Sequence, residues 1–367
     1  MPEPYEPKRL PLDCIDWAEH VSMIGKANAS LARYDGILQA IINPEILISP
    51  LINHEAVLSS RIEGTQASLE EVLEYEADPI GDITLEKRDD ITEIINYRKA
   101  LLLAEKELKN RPLHINMITL IHAVLLDNVR GRDKEPGQLR TIQNYIAKPG
   151  QPIEKAIFIP PYPFIVPDAL SNWEEYLHSE EKDPLVQIAV LKAQFELIHP
   201  FRDGNGRIGR MLVPLILYNK GLLSRPTFYI SSYLEQNHDE YYDSLLKISH
   251  DDDWNQWISF FLRAINEQAV YNCRKAREIL SLYDEMKTRV PEITHSQYAI
   301  PAIDAIFSRQ IFRASDFVSI SGIPNVTAQR LLRELSENDI ITVIREGRGR
   351  RANIYACIKL LKITEDA

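Results

Sequence analysis

Apolar residues recur at helical spacing along most of the chain, and the polar breaks between them carry capping chemistry. After a proline-rich lead, Ile15 to Ile42 predicts a first helix. Ser49-Pro50 offers an N-cap followed by proline at the first helical position, so a second helix is predicted through Leu51, Leu58 and Ile62 to a stop at Gly64. Ser68-Leu-Glu-Glu71 reads as a capping box opening a third. Asp183-Pro184 starts an amphipathic helix through Val186, Ile188, Ala189, Leu191, Phe195 and Leu197, which ends at the His199-Pro200 step. Another apolar helix follows Gly206 through Met211, Leu212, Leu215 and Ile216. Between these segments lies a proline-rich stretch, Lys148 to Pro167. Its core, Ala156-Ile-Phe-Ile159, is too short for a stable helix and predicts a small hairpin or flap.

Towards the end the pattern changes. Asn266 to Val290 reads as a helical connector. From Tyr298 the chain reads helix, short helix (Ala314 to Val318), turn (Ser321 to Pro324) and helix (Val326 to Glu337). Strands over Ile340–Arg345 and Ile354–Cys357 follow. The expected fold class is therefore mainly α, in four regions: a helical region over 1–90, a large core over 91–270, a connector over 271–290 and a terminal domain over 291–367. A length of 367 residues is ample for two or three such units.

Composition narrows the function classes. Hydrophobic residues at 45% and charged residues at 26% are ordinary for a soluble protein, and the longest apolar runs, such as Met211 to Tyr218, are far short of a membrane span. No membrane partner is expected. The N-terminus lacks the pattern of a signal peptide, and Cys14, Cys273 and Cys357 are scattered without metal-ligand spacing, so a reducing cytoplasm is expected. A formal net charge of −11 argues against wholesale coating of nucleic acid. Only fourteen glycines occur, and their densest cluster is Gly204, Gly206 and Gly209.

That cluster sits between two apolar helices, in a turn that also holds His199, Asp203, Asn205, Arg207 and Arg210. Glycines there let backbone N–H groups converge, and a following helix start adds unsatisfied amides and a positive dipole end. The result is an anion nest suited to phosphates. Arg207 and Arg210, three residues apart, form a two-pronged clamp from one side of the helix start. Asp203 supplies a hard oxygen for Mg²⁺, and His199 an imidazole able to take a proton from a hydroxyl. The residues point to phosphoryl or nucleotidyl transfer from a Mg-bound nucleotide. Taken singly, His199 could be a helix-end histidine and Asp203 and Asn205 ordinary turn residues; the flanking arginines tip the balance.

The segment His199-Pro-Phe-Arg-Asp-Gly-Asn-Gly-Arg-Ile-Gly-Arg210 resembles the Fic-domain signature HxFx(D/E)GNGRxxR at every defined position. The resemblance extends over about residues 90 to 265, including Gly137-Gln-Leu-Arg140 and Tyr241-Tyr242. It implies a protein adenylyltransferase with a helical Fic core, using ATP and Mg²⁺ to modify a Ser, Thr or Tyr hydroxyl of a target protein, or of the chain itself. On it, His199 would be the base and Phe201 would hold the loop. Asp203 would bind the metal; Gly204, Asn205 and Gly206 the α- and β-phosphates; Arg207 the β-phosphate and Arg210 the γ-phosphate. Phe158 and Ile159 resemble a flap that aligns the target by strand addition. Tyr241 and Tyr242 resemble residues lining the adenine pocket, although such a pair is more often core packing. A homodimer is compatible with this reading.

Two further features follow. Glu63 ends the second predicted helix, at the unfavourable end of its dipole, where the bland reading is a solvated charge. Ser59-Ser-Arg-Ile-Glu63-Gly64 resembles the inhibitory motif (S/T)xxxE(G/N) of restrained Fic proteins. There the glutamate pairs with the second motif arginine, here Arg210, and Ser59 steadies the helix. The terminal domain resembles a winged helix-turn-helix, with Asn325 to Arg333 as recognition helix and Arg330, Arg333, Arg345, Arg348, Arg350 and Arg351 as a basic cluster. It implies contact with DNA or, since such domains serve both purposes, docking to protein. The rival to the enzyme is a DNA-binding regulator whose Fic core serves as a sensor. His250-Asp-Asp-Asp253 reads as a solvated loop or cap.

Overall fold

Residues 3–41, 43–79, 83–129, 133–148, 150–347 and 352–365 are described by the structure, a computed structural model. Five helices come first: α1 (Trp17–Ala40), α2 (Glu45–Ile62), α3 (Leu69–Ala77), α4 (Leu85–Leu108) and α5 (Ile115–Leu125). Their starts follow local chemistry. Asp16 Oδ1 accepts the amides of Ala18 and Glu19, and Ser68 and Glu71 form the reciprocal capping box. The second helix departs from expectation. It begins at Glu45, a turn before Pro50, and carries the proline in its interior. Buried Ile46, Leu51 and Ile52 extend its apolar face across that point, which offsets the one backbone bond that proline cannot make. The Ser49 hydroxyl, free of capping, donates to the Ser308 carbonyl at 2.7 Å.

The middle of the molecule is built from α6 (Val166–His178), α7 (Pro184–Ile198), α8 (Asn205–Asn219), α9 (Ser231–Gln236), α10 (His238–Asp251) and α11 (Trp254–Thr294). Asp183 caps α7 as its sequence suggests. That helix is not amphipathic, however. From Leu185 to Ile198 only Glu196 escapes burial, and even Gln187, Lys192 and Gln194 are enclosed, because neighbours pack on every side. A single helix, α11, runs from Trp254 through Thr294 and so spans the whole segment read as a connector. The expected hairpin over 156–159 is one antiparallel bridge, Ile146 to Phe158.

The last part comprises α12 (Ala299–Ser308), β1 (Ile311–Arg313), α13 (Ala314–Ser321), α14 (Asn325–Glu337), β2 (Thr342–Arg345), β3 (Ile354–Ala356) and α15 (Ile358–Glu365). The strands form an antiparallel sheet in the order β1-β3-β2, with Tyr355 opposite both Phe312 and Val343. Ala328, Leu331, Leu332 and Leu335 of α14 face inward as expected. Of the basic cluster, Arg330 pairs with Glu334, Arg333 with Glu337 and Arg345 with Asp78. Arg348, Arg350 and Arg351 lie outside the described residues. This part packs on the N-terminal helices: α12 and α15 against α2, and β1 against α3. Among the described residues, no helix is long and apolar enough to cross a membrane.

Candidate active site

The glycine-rich turn joins the two most enclosed helices. At its start His199 adopts a left-handed conformation (φ 51°, ψ 59°) and Pro200 bars a further turn of α7. At its end Gly204 (φ 77°) caps α8, and a Cβ there would meet Leu125 Cδ2 at 3.3 Å as well as straining the backbone. The turn's carbonyls are gripped from outside. Arg140 donates through Nε to the His199 carbonyl (2.8 Å) and through its amide to that of Pro200 (2.9 Å). Asn144 and Asn205 donate to the Phe201 carbonyl at 2.9 and 2.8 Å. The Phe201 amide in turn donates to Asn205 Oδ1 at 2.9 Å. With these carbonyls occupied, the first amides of α8, which have no acceptor within the helix, are left to face an anion.

His122 of α5 completes this grip. The Gly137 amide donates to its Nδ1 at 2.8 Å, which places the ring proton on Nε2, 3.0 Å from the Asp203 carbonyl that accepts it. Its ring stacks on Phe201 with centroids 3.8 Å apart and planes 8° apart. Burial pushes its pKa down to about 4, so it stays neutral and keeps both bonds. Sequence reading missed His122. Arg140 entered that reading only as part of the wider resemblance.

The His199 ring has its Nδ1 3.2 Å from the Glu196 carbonyl. A proton on Nδ1 satisfies that contact and leaves the Nε2 lone pair available. Burial holds the imidazole below its ordinary pKa, with Arg140 adding to the effect against the opposing Glu196 and Glu63. It is thus neutral, as a proton acceptor must be.

The two arginines are buried and largely committed. Arg207 bonds Glu93 of α4 at 3.0 Å and Asp203 at 3.3 Å. Arg210 reaches across to α2: Nε donates to Ser59 Oγ at 2.8 Å, and Nη2 donates to the Ser59 carbonyl at 2.8 Å and to Glu63 Oε1 at 2.6 Å. Burial would raise the Glu63 carboxyl, but Arg210 and then Arg207 outweigh it and hold the group below the usual carboxylate range. The carboxylate lies directly over Gly206, where a Cβ would collide with Glu63 Oε1. Gly64, at φ 102°, turns the chain immediately after it. Four buried guanidinium atoms among the described residues find no hydrogen-bond acceptor, and two of them, Arg207 Nε and Arg210 Nη1, belong to this site.

The remaining expected residues fall around this centre. Asp203 has Oδ1 taken by the Gly204 amide (2.5 Å) and Arg207, while its side chain stays 40% exposed. Tyr241 is buried in an aromatic cluster with Trp257 and Phe260, and its hydroxyl donates to Glu196 Oε2 at 2.6 Å. Tyr242 is the member of the pair that reaches solvent, and its phenol is pushed up to about 12 by burial and by Glu63. Phe158 and Ile159 are buried, and Arg140 Nη2 donates to the nearby Pro161 carbonyl at 2.6 Å.

Residues 21–106 match the Fic/DOC family N-terminal model and residues 112–217 the Fic/DOC family model. Over 70 residues, 19% of this chain and 22% of the relative, it is 41% identical to a probable protein adenylyltransferase of Aquifex aeolicus. Over 135 residues, 35% of this chain and 24% of the relative, it is 31% identical to a protein adenylyltransferase of Caenorhabditis briggsae. The matched stretches thus span under a quarter of those curated relatives. The crystal structure of a Fic family protein from Desulfovibrio desulfuricans superposes with a TM-score of 0.61 over 96% of this chain and 98% of that one. At 20% identity that likeness is one of fold. With the two matched segments together covering more than half of its residues, the chain belongs to the Fic/DOC family.

Proposed function

We propose that the chain transfers AMP from ATP to a Ser, Thr or Tyr hydroxyl of a target protein, and that Glu63 restrains it in the state described. The observation that carries this reading is the pair of buried donors without acceptors, Arg207 Nε and Arg210 Nη1, at the start of α8. Buried guanidinium atoms of this kind call for an anionic partner, and the triphosphate of ATP supplies one. Gly204, Asn205 and Gly206 would hold the α- and β-phosphates, Arg207 the β-phosphate and Arg210 the γ-phosphate. The exposed Asp203 carboxylate suits Mg²⁺, which keeps most of its waters and takes one or two carboxylates beside phosphate oxygens. Bound there, the ion would offset phosphate charge.

His199 Nε2 takes the proton of the acceptor hydroxyl. The hydroxyl oxygen bonds the α-phosphorus, the bond to the bridging oxygen breaks, and pyrophosphate leaves with that electron pair. Tyr242 would border the adenine while Tyr241 holds Glu196 behind it, and Phe158 and Ile159 would align an extended target segment. The chain itself is a second acceptor. The Glu63 carboxylate over Gly206 takes the place of a phosphate oxygen and engages Arg210, which supports restraint.

Incubation of cell lysate with α-labelled ATP and Mg²⁺, with wild type, Glu63→Gly, or Glu63→Gly combined with His199→Ala, tests the reading. Labelling that rises in the single variant and vanishes in the double variant is expected. Absence of any His199-dependent labelling sinks it.

The terminal module we read as a winged helix-turn-helix that docks protein. Arg330, Arg333 and Arg345 are already paired with carboxylates of this chain, which leaves less positive charge for phosphates. Sequence-selective retardation of DNA, abolished by alanine at Arg348 and Arg350, would overturn that.

A further inference from the structure

We propose that the chain's own N-terminal segment, residues 3–10, occupies the flap edge on which a target's extended segment would lie. This rests on the reading of Phe158 and Ile159 as a target-aligning flap. The Ile146 amide donates to the Phe158 carbonyl at 2.8 Å, so that carbonyl faces Ile146. Successive carbonyls of an extended chain point to opposite sides, so the Ile159 carbonyl faces the open edge. It is not open: the Tyr5 amide donates to it at 2.8 Å. The Tyr5 ring packs on Phe158 with centroids 5.9 Å apart. A main-chain bond with a side chain seated beside it is the pattern of strand addition.

The rest of the segment is fastened along the same face. Gln194 of α7 donates to the Lys8 carbonyl at 2.8 Å, and Lys8 pairs with Asp252. The amide and carbonyl of Leu10 both bond the Asn172 side chain, at 2.7 and 3.0 Å. Gln194 lies little more than one turn before His199. The segment therefore runs past the end of α7 that carries the base, and a target must displace it to reach Ile159. The occupied register also defines the chemistry of a fitting target: an extended segment with an aromatic side chain where Tyr5 now packs on Phe158.

The test uses the full chain and a fluorescein-labelled synthetic peptide with the sequence of residues 3–10, followed by anisotropy without nucleotide. Tyr5→Pro removes the amide that bonds Ile159. The variant is expected to bind the peptide at least about tenfold more tightly than wild type, because closure in cis lowers apparent affinity by the fraction of open edge. Equal uptake by both proteins, or uptake by neither, overturns the proposal. Since binding is read without ATP, failure here is distinct from failure of AMP transfer.

A separate cluster points to a transition-metal site. Glu174 and His178 lie one turn apart on α6, and His114 precedes α5; a ligand atom from each lies within 4.8 Å of the others. His114 Nδ1 is already 3.2 Å from Glu174 Oε1. Two imidazoles and a carboxylate suit Zn²⁺, which would tie the start of α5 to α6 with a fourth position left to water. Calorimetric titration of the EDTA-treated chain with Zn²⁺ should show one equivalent that His114→Ala combined with His178→Ala removes. An unchanged stoichiometry, or no binding by wild type, overturns this.

Discussion

Arg210 and Glu63 are 147 residues apart in sequence and 2.6 Å apart in space, and Ser59 supplies two further acceptors to the same guanidinium. The end of α2 is therefore fixed to the nest at three points. Replacement of Glu63 by glycine removes the charged point and uncovers Gly206. Transfer of label from α-labelled ATP is expected to rise by about tenfold or more, equivalent to roughly 1.4 kcal/mol of released competition. Glu63→Gln, which keeps the volume but not the charge, is expected to fall between the variant and wild type.

Ser59→Ala tests the other points. The Nε of Arg210 loses a hydroxyl acceptor but keeps the Ser59 carbonyl and Glu63 on its neighbouring nitrogen. Loss of one bond to a charged group costs about 1.5–3 kcal/mol. Thermal unfolding should register a lower midpoint, and basal transfer should rise by less than in Glu63→Gly.

His122→Ala removes both the donor to Asp203 and the ring stacked on Phe201. The turn stays anchored by Arg140, yet its nest end is free to shift. In a Glu63→Gly background, transfer is expected to fall by about 100-fold, as small misplacements in such sites do. Circular dichroism should show a folded protein.

The pH profile follows from His199. Its imidazole sits below the ordinary value near 6.5, chiefly through burial. The reactive form is the neutral one, so activity is retained at and above neutral pH and lost as pH falls through that lowered pKa. Initial rates of Glu63→Gly should be level from pH 8 to about 6.5 and then decline about tenfold per unit on the acid limb. A decline centred above pH 7 would contradict the assignment.

Gly206→Ala distinguishes inhibition from binding. The added methyl collides with Glu63 Oε1, so the ion pair must yield, yet the same methyl would fill the seat proposed for the phosphate. The variant is expected to lose restraint without gaining activity. Nucleotide binding, measured by calorimetry in a Glu63→Gly background, should weaken by more than about tenfold.

Much of this was legible because the chemistry is contiguous. His199 to Arg210 declares base, nest and arginines within a dozen residues, and the caps at Asp16, Ser68 and Asp183 announce their helices. What stayed hidden acts through the backbone. Arg140, Asn144 and His122 grip carbonyl groups, which every residue carries, so nothing in the spacing identifies the pairing. Pro50 misled because proline is favoured at a helix start. Tertiary burial of Ile46, Leu51 and Ile52 carried the helix past it. α7 looked amphipathic because Gln187, Lys192, Gln194 and Glu196 interrupt its apolar positions. Those residues are paired inside the fold, with Lys192 on Glu196 and Gln187 on the Tyr176 carbonyl.

The seat over Gly206 has a kinetic meaning as well. On the restraint proposed above, Glu63 would compete there as an anion tethered to the protein, and a tethered competitor keeps one local concentration however much the protein is diluted. More nucleotide raises the other side of the contest, so the tether would set the ATP concentration at which restraint yields. The left-handed turn at Gly64 and the packing of α12 and α15 along α2 decide how far that carboxylate can withdraw.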